Sequence, residues 1–174
     1  MTMSAARFIS ACRFGPGFGP AVQDIVREGV DINVDSYGWA GLVSAMGNKH
    51  WDIVSWLLDQ DTLDMNWKSS YSGTYLIVAS AYGAPVSVIT CICNKSNTQG
   101  INAVNSGVDT ALDAAVIRNQ PDIVSCLGGR EEVTWDMARL EGRARLVGGS
   151  LVLFYYFNYY WLVYGEHYYI IIII

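Results

Sequence analysis

Side chains that could perform chemistry are few in this sequence, and they do not converge. Its 174 residues contain two histidines, His50 and His167, and four cysteines, Cys12, Cys91, Cys93 and Cys126. General acid–base catalysis needs a histidine held against a second partner. His50 stands at the start of an apolar helical pattern, Trp51-Asp52-Ile53-Val54, with no such partner placed beside it, so it is read as structural. Tetrahedral zinc needs four Cys or His donors. The Cys91-x-Cys93 pair has no further donors spaced to join it, and it is not the C-x-x-C of a redox motif. All four cysteines are therefore read as reduced thiols filling small apolar positions. Asp31 and Asp64 lie 33 residues apart, and with Asp109 and Asp122 they are read as turn and cap residues, structural before functional. The Gly-rich run Gly15-Pro16-Gly17-Phe18-Gly19-Pro20 contains prolines, lacks the lysine of a phosphate loop and falls between helical patterns, so it reads as a loop insertion. The polar run Asn94-Lys95-Ser96-Asn97-Thr98-Gln99-Gly100 is a connection of the same kind. The expectation is a protein with no catalytic residues, no metal and no cofactor.

Composition narrows the class further. Apolar residues make up 52% and charged residues 16%, a globular balance. A net charge of -5 with no basic run leaves nucleic acid without an electrostatic footing. Arg7, Ser10 and Arg13 interrupt the first fifteen residues, which never build the apolar core of a secretory signal. The expected compartment is cytoplasmic.

What organises these residues is a repeat. Ala40-Gly41-Leu42-Val43-Ser44-Ala45, Thr74-Tyr75-Leu76-Ile77-Val78-Ala79 and Thr110-Ala111-Leu112-Asp113-Ala114-Ala115 share the skeleton Thr/Ala-x-Leu-x-x-Ala, with leucines 34 and 36 residues apart. Each is followed by a second helical block: Asp52-Ile53-Val54-Ser55-Trp56-Leu57-Leu58, Val88-Ile89-Thr90-Cys91-Ile92 and Asp122-Ile123-Val124-Ser125-Cys126-Leu127. Asx-rich turns close the units at Asn33, Asn66 and Asn102, spaced 33 and 36 residues apart. Two short helices and a turn cannot bury their own apolar faces, and stacking neighbours solves that problem.

With Gly29-Val30-Asp31-Ile32-Asn33 and His50-Trp51-Asp52-Ile53-Val54-Ser55-Trp56-Leu57-Leu58, the chain resembles the ankyrin-repeat family. The resemblance implies an all-α solenoid of helix–turn–helix units joined by β-turn or hairpin loops. It covers residues 7–146 as about four units and a partial fifth. In the first unit Phe8-Ile9-Ser10-Ala11 and Ala21-Val22-Gln23-Asp24-Ile25-Val26 stand for the two helices. The fifth begins at Val133-Thr134-Trp135-Asp136 and lacks a second helix, so the array reads as truncated. No unit keeps the family's Thr-Pro-Leu-His. Val43, Ile77 and Asp113 occupy the histidine position, so part of the family's turn-to-turn hydrogen bonding is expected to be missing and stability to be modest.

The resemblance also implies function. Ankyrin proteins bind partners through turn tips and the exposed side of the first helix, which map here to Ser36, Tyr37, Trp39, Asn48, Ser70, Tyr71, Tyr82, Asp109, Ile117 and Arg118. Tyr, Trp and Arg are the types that dominate binding hot spots. Trp51, Trp56 and Trp67 fall nearer packing positions and are expected to be framework. The expected function is a non-catalytic protein–protein interaction scaffold with a protein partner, no nucleic acid and no small-molecule substrate.

Residues 147–174 form an apolar, Tyr/Ile-rich tail outside the repeats. The twenty residues 146–165 carry no charge and meet the length of a membrane-spanning helix, with Arg143 and Arg145 on what would be the cytosolic side. That gives an alternative, a tail-anchored protein displaying its repeats to the cytosol. Tyr155, Tyr156, Asn158, Tyr159 and Tyr160 fall mid-stretch, where tyrosine is out of place. Eighteen of the twenty-four residues 151–174 can be encoded with A and T alone, which favours translated noncoding sequence, a mis-predicted gene end, over an anchor.

Overall fold

Each Leu-x-x-Ala block folds as one helix and each following Ile-Val-x-x-Leu block as a second. A computed structural model of the chain describes residues 3–15, 17, 19–36, 39–134, 136 and 140. The first helices of the pairs are α1 (Met3–Phe14), α3 (Gly41–Gly47), α5 (Tyr75–Tyr82) and α8 (Ala111–Ile117). The second helices are α2 (Gly19–Arg27), α4 (Trp51–Leu58), α6 (Val86–Lys95) and α9 (Pro121–Gly128), and one further turn, α7 (Thr98–Ile101), follows α6. Two antiparallel hairpins precede α3 and α5, made by β1 (Asp35–Ser36) with β2 (Trp39–Ala40) and by β3 (Lys68–Ser69) with β4 (Gly73–Thr74). The described residues are thus mostly helical, with little strand.

Helices of seven or eight residues are marginal alone, so burial must supply their stability. The main contacts run between neighbours. Within each pair the two helices pack together; between pairs, α1 packs on α3, α3 on α5 and α5 on α8, while α4 packs on α6 and α6 on α9. Of the first helices, α3, α5 and α8 are enclosed so completely that Gly41 through Met46, Tyr75 through Ser80 and Ala111 through Val116 are all buried, whereas α1 keeps an open face with Arg7 and Ser10 exposed. Close approach explains Gly41: a Cβ there would lie 2.3 Å from the Phe8 ring. On the second helices only one face is buried, by Ile53, Val54, Leu57 and Leu58 in α4 and by their counterparts in α6 and α9.

Polar groups tie successive turns together. Asp31 and Asp64 each accept a hydrogen bond from the backbone N–H two residues on, Asn33 and Asn66, at 2.9 Å. The Asn33 amide then reaches the next turn, donating to Thr62 O at 2.7 Å and accepting from Asp64 N at 2.7 Å. Asn102 repeats the clamp on Glu132 O and Thr134 N, both at 2.6 Å. Among the described residues Asn66 makes no such clamp, because α7 occupies the connection that its partner turn would otherwise form. Asn102→Ala should cost about 1–3 kcal/mol, since it leaves two backbone groups to re-pair. Urea unfolding of the variant checks this, and an unchanged midpoint would remove the clamp from the account.

Cations bridge the second helices. Lys95 Nζ donates to Leu58 O at the end of α4, and Arg130 Nη2 donates to Asn94 Oδ1 at 3.1 Å near the end of α6. Both place positive charge at the negative end of a neighbouring helix.

The residue three places after Ala40, Thr74 or Thr110, which is Val43, Ile77 or Asp113, decides where capping occurs. In α8, Thr110 Oγ1 accepts from Asp113 N at 3.3 Å, while the Asp113 carboxylate accepts from Thr110 N and Oγ1 at 2.7 Å, a full capping box. Val43 and Ile77 cannot do this. Accordingly α3 and α5 have no side-chain cap, and Thr74 Oγ1 is buried without a hydrogen bond.

Three sequence readings change. Gly19 and Pro20 belong to α2, not to the preceding loop, with proline tolerated in the first helical turn. The polar run 94–100 is not a plain connection: α6 extends through Lys95, and α7 is capped by Asn97 Oδ1, which accepts from Gly100 N at 2.7 Å. Cys91 and Cys126 are only half-buried, whereas Cys12 and Cys93 are fully buried. Of the fifth unit, Val133 and Leu140 are buried and Thr134 is clamped by Asn102. The tail at 147–174, including the membrane-anchor reading of 146–165, lies outside the described residues.

Candidate binding surface

Between successive helix pairs the chain turns back through a tip, and in the second and third tips the backbone needs are met locally by a side chain. In the second hairpin the buried Ser69 hydroxyl accepts from Tyr71 N at 3.1 Å and Ser72 N at 3.3 Å, which holds the exposed Ser70 and Tyr71 outward. In the next tip Asn105 Oδ1 accepts from Gly107 N at 2.8 Å and Asp109 N at 2.9 Å. The two tips are joined, since Ser106 Oγ donates to Tyr71 O at 3.2 Å. In the first hairpin Ser36 pairs with Trp39 across the strands.

One large apolar residue stands out from each of these three tips. Trp39 is 51% exposed, Tyr71 81% and Val108 59%. Their spacing along the stack follows from the helix packing beneath them, at about 8–10 Å per neighbour. Val108 was not singled out by its type. Its sequence signal is the Asn105-Ser106-Gly107-Val108-Asp109 turn, in which a β-branched residue is forced to φ +63°. A side chain in the left-handed region costs about 1–2 kcal/mol. Val108→Gly should therefore raise stability by up to about 1 kcal/mol after glycine's own entropic cost. Guanidinium unfolding would show the higher midpoint, and a loss of stability would mean that the Val108 side chain packs in a way this account omits.

The other positions fall into two groups. Asn48, Tyr82 and Arg118 are equivalent residues at the C-terminal ends of α3, α5 and α8, and all three are exposed. Asn48 is fixed by its Nδ2 donating to Ser44 O at 2.9 Å, and the Tyr82 ring lies over Gly47, where a Cβ would meet it at 3.7 Å. Ser36, Asp109 and Ile117 are half-buried, and Asp109 folds its carboxylate back toward Gly107, so it builds the turn. Tyr37 lies outside the described residues. The expectation that the first helices expose a broad side needs correction for α3, α5 and α8: only their ends are open, because small residues such as Gly41, Ala45 and Ala79 let neighbouring helices close over the middle.

The remaining aromatics serve the frame. Trp51, Trp56 and Trp67 are half-buried against the core. Trp67 stacks on Tyr75 with ring centroids 4.8 Å apart and donates its Nε1–H to Asp35 Oδ2 at 2.9 Å. Burial, followed by the charges of Asp64 and Asp35, pushes the Tyr75 phenol well above its usual range. Burial also lifts the Cys12 thiol to about 12 and the Cys93 thiol to about 11.

His50 is placed by its hydrogen bond to Arg13 O at 3.1 Å, at the end of α1, so its ring satisfies one of the last carbonyls of that helix. Among the described residues no three His, Cys, Asp or Glu side chains are grouped as metal ligands, and no helix is long and apolar enough to cross a membrane. No protein-family model matches the chain, and the search of curated proteins finds no match.

Proposed function

We propose that the chain is an ankyrin-repeat solenoid acting as a non-catalytic protein-recognition scaffold in the cytoplasm. The single observation that carries this reading is the row of Trp39, Tyr71 and Val108, one exposed apolar anchor on each of three successive tips above an enclosed helical frame. Exposed aromatics on a rigid frame lose little entropy when a partner covers them. The ankyrin assignment is supported by the period of the sequence, the paired helices with neighbour-to-neighbour packing, and the Asn33 and Asn102 clamps between turns. Four free cysteines, two of them half-exposed, suit a reducing compartment.

The reading is tested by replacing Trp39 and Tyr71 together with Ala. Both are more than half exposed, so the melting temperature should stay nearly constant while partner capture is lost. If capture and melting temperature fall together, these aromatics are framework and the recognition surface lies elsewhere.

A further inference from the structure

The contact between α6 and α9 brings two thiols and a cation to one point that recognition by the tips does not use. Cys126 on α9 is half-buried, and its Sγ lies 3.6 Å from Thr90 Oγ1 on α6. Thr90 and Cys93 are three residues apart on α6, which puts their side chains on one face with Cβ atoms about 5–6 Å apart. That face packs against α9. Cys93 is buried, and after burial itself the charges acting most on its thiol are those of Arg130 and Cys126. Arg130 is anchored on Asn94, and its Nε is buried without a hydrogen bond, 3.7 Å from Glu132. Helices packed at about 8–10 Å, each with a Cα radius of about 2.3 Å, bring facing Cα atoms within the roughly 7 Å that a disulfide can span.

We propose that Cys93 and Cys126 are a redox-active pair that closes into a disulfide between α6 and α9 when the protein meets a low-molecular-weight disulfide such as oxidised glutathione. Cys126, the more exposed thiol, gives up its proton to solvent and attacks one glutathione sulfur. The glutathione S–S bond breaks, one glutathione thiolate leaves, and Cys126 carries a mixed disulfide. Cys93, which burial keeps as a thiol, then attacks Cys126 Sγ, passing its proton to the departing sulfur as the second glutathione leaves as a thiol; the nearby Arg130 guanidinium offsets part of the cost of the charge that develops on Cys93 Sγ. Two protein thiols are oxidised and one glutathione disulfide is reduced to two thiols, so the exchange balances. Cys91 is excluded from the exchange by position: it sits about 100° around α6 from Thr90, turned from this contact.

The test is incubation of the full chain with oxidised glutathione, read by intact mass, peptide mapping and thermal melting. The wild type should lose two hydrogens in mass, yield a Cys93–Cys126 linked peptide, and gain on the order of 5–10 °C in melting temperature, reversed by dithiothreitol. Cys91→Ser should behave as the wild type. Cys126→Ser should give neither a glutathione adduct at the α6–α9 contact nor the link, and Cys93→Ser should halt at an adduct on Cys126. If Cys93→Ser does not fold, Cys93→Ala reads the same arrest without a buried hydroxyl. A stable adduct on Cys126 in the wild type with no link, a bridge through Cys91, or no reaction would each overturn the proposal.

Discussion

Replacing Leu112 or Leu76 by Ala is expected to lower the unfolding free energy by about 2–5 kcal/mol. Both side chains are essentially removed from solvent, at 2% and 1% exposed. Each sits on a first helix whose middle is closed over by neighbours, so the space left cannot collapse inward without moving a whole helix. Leu76 lies on α5, which packs on both α3 and α8. Its loss should weaken two interfaces, as expected where stability is a sum of unit and neighbour terms. The checks are urea midpoints of the two variants. A midpoint within error of the wild type for either would mean that the core is misplaced.

The second large effect is alkaline instability. Cys12 and Cys93 are held neutral by burial, with thiols at about 12 and about 11 against an ordinary 9.0. The folded protein therefore keeps these protons to higher pH than the unfolded chain does. The stabilisation is complete below about pH 9 and is lost as pH rises through 11 and toward 12. At about 1.4 kcal/mol per unit and thiol, two units of pH for two thiols remove on the order of 5 kcal/mol by pH 11. Tyr75, shifted in the same direction, adds to the loss at the top of this range. Melting temperatures between pH 8 and 11 should fall steeply in the wild type and much less in a Cys12→Ala, Cys93→Ala double variant. Parallel curves for the two would assign the alkaline loss to other groups.

The helix pairs were legible in the sequence because Leu-x-x-Ala and Ile-Val-x-x-Leu record which faces must be buried, and that burial is what forms short helices. The Asx turns were legible at Asp31 and Asp64 for the same local reason. Three features were not. The extra turn α7 hides in a run of polar residues, where no apolar period marks a helix and only Asn97, three residues before Gly100, signals a cap. The enclosure of the first helices depends on how closely Gly41, Ala45 and Ala79 let their neighbours approach, a tertiary property that composition does not carry. Val108 carries no mark in its residue type, because its exposure follows from the conformation of its turn. The capping box in α8 is written in Thr110-x-x-Asp113, where the resemblance implies a histidine in place of Asp113.

Recognition through the tips is tested most directly by photo-crosslinking. A photoreactive amino acid would be placed at Tyr71 on a tip and, in a second variant, at Ser87 on the exposed face of α6, and each irradiated in cells producing the full chain. The account predicts a discrete adduct from position 71 that disappears when Trp39 is also changed to Ala, and none from position 87. A discrete adduct from position 87 with none from position 71 would contradict it and move recognition to the second helices.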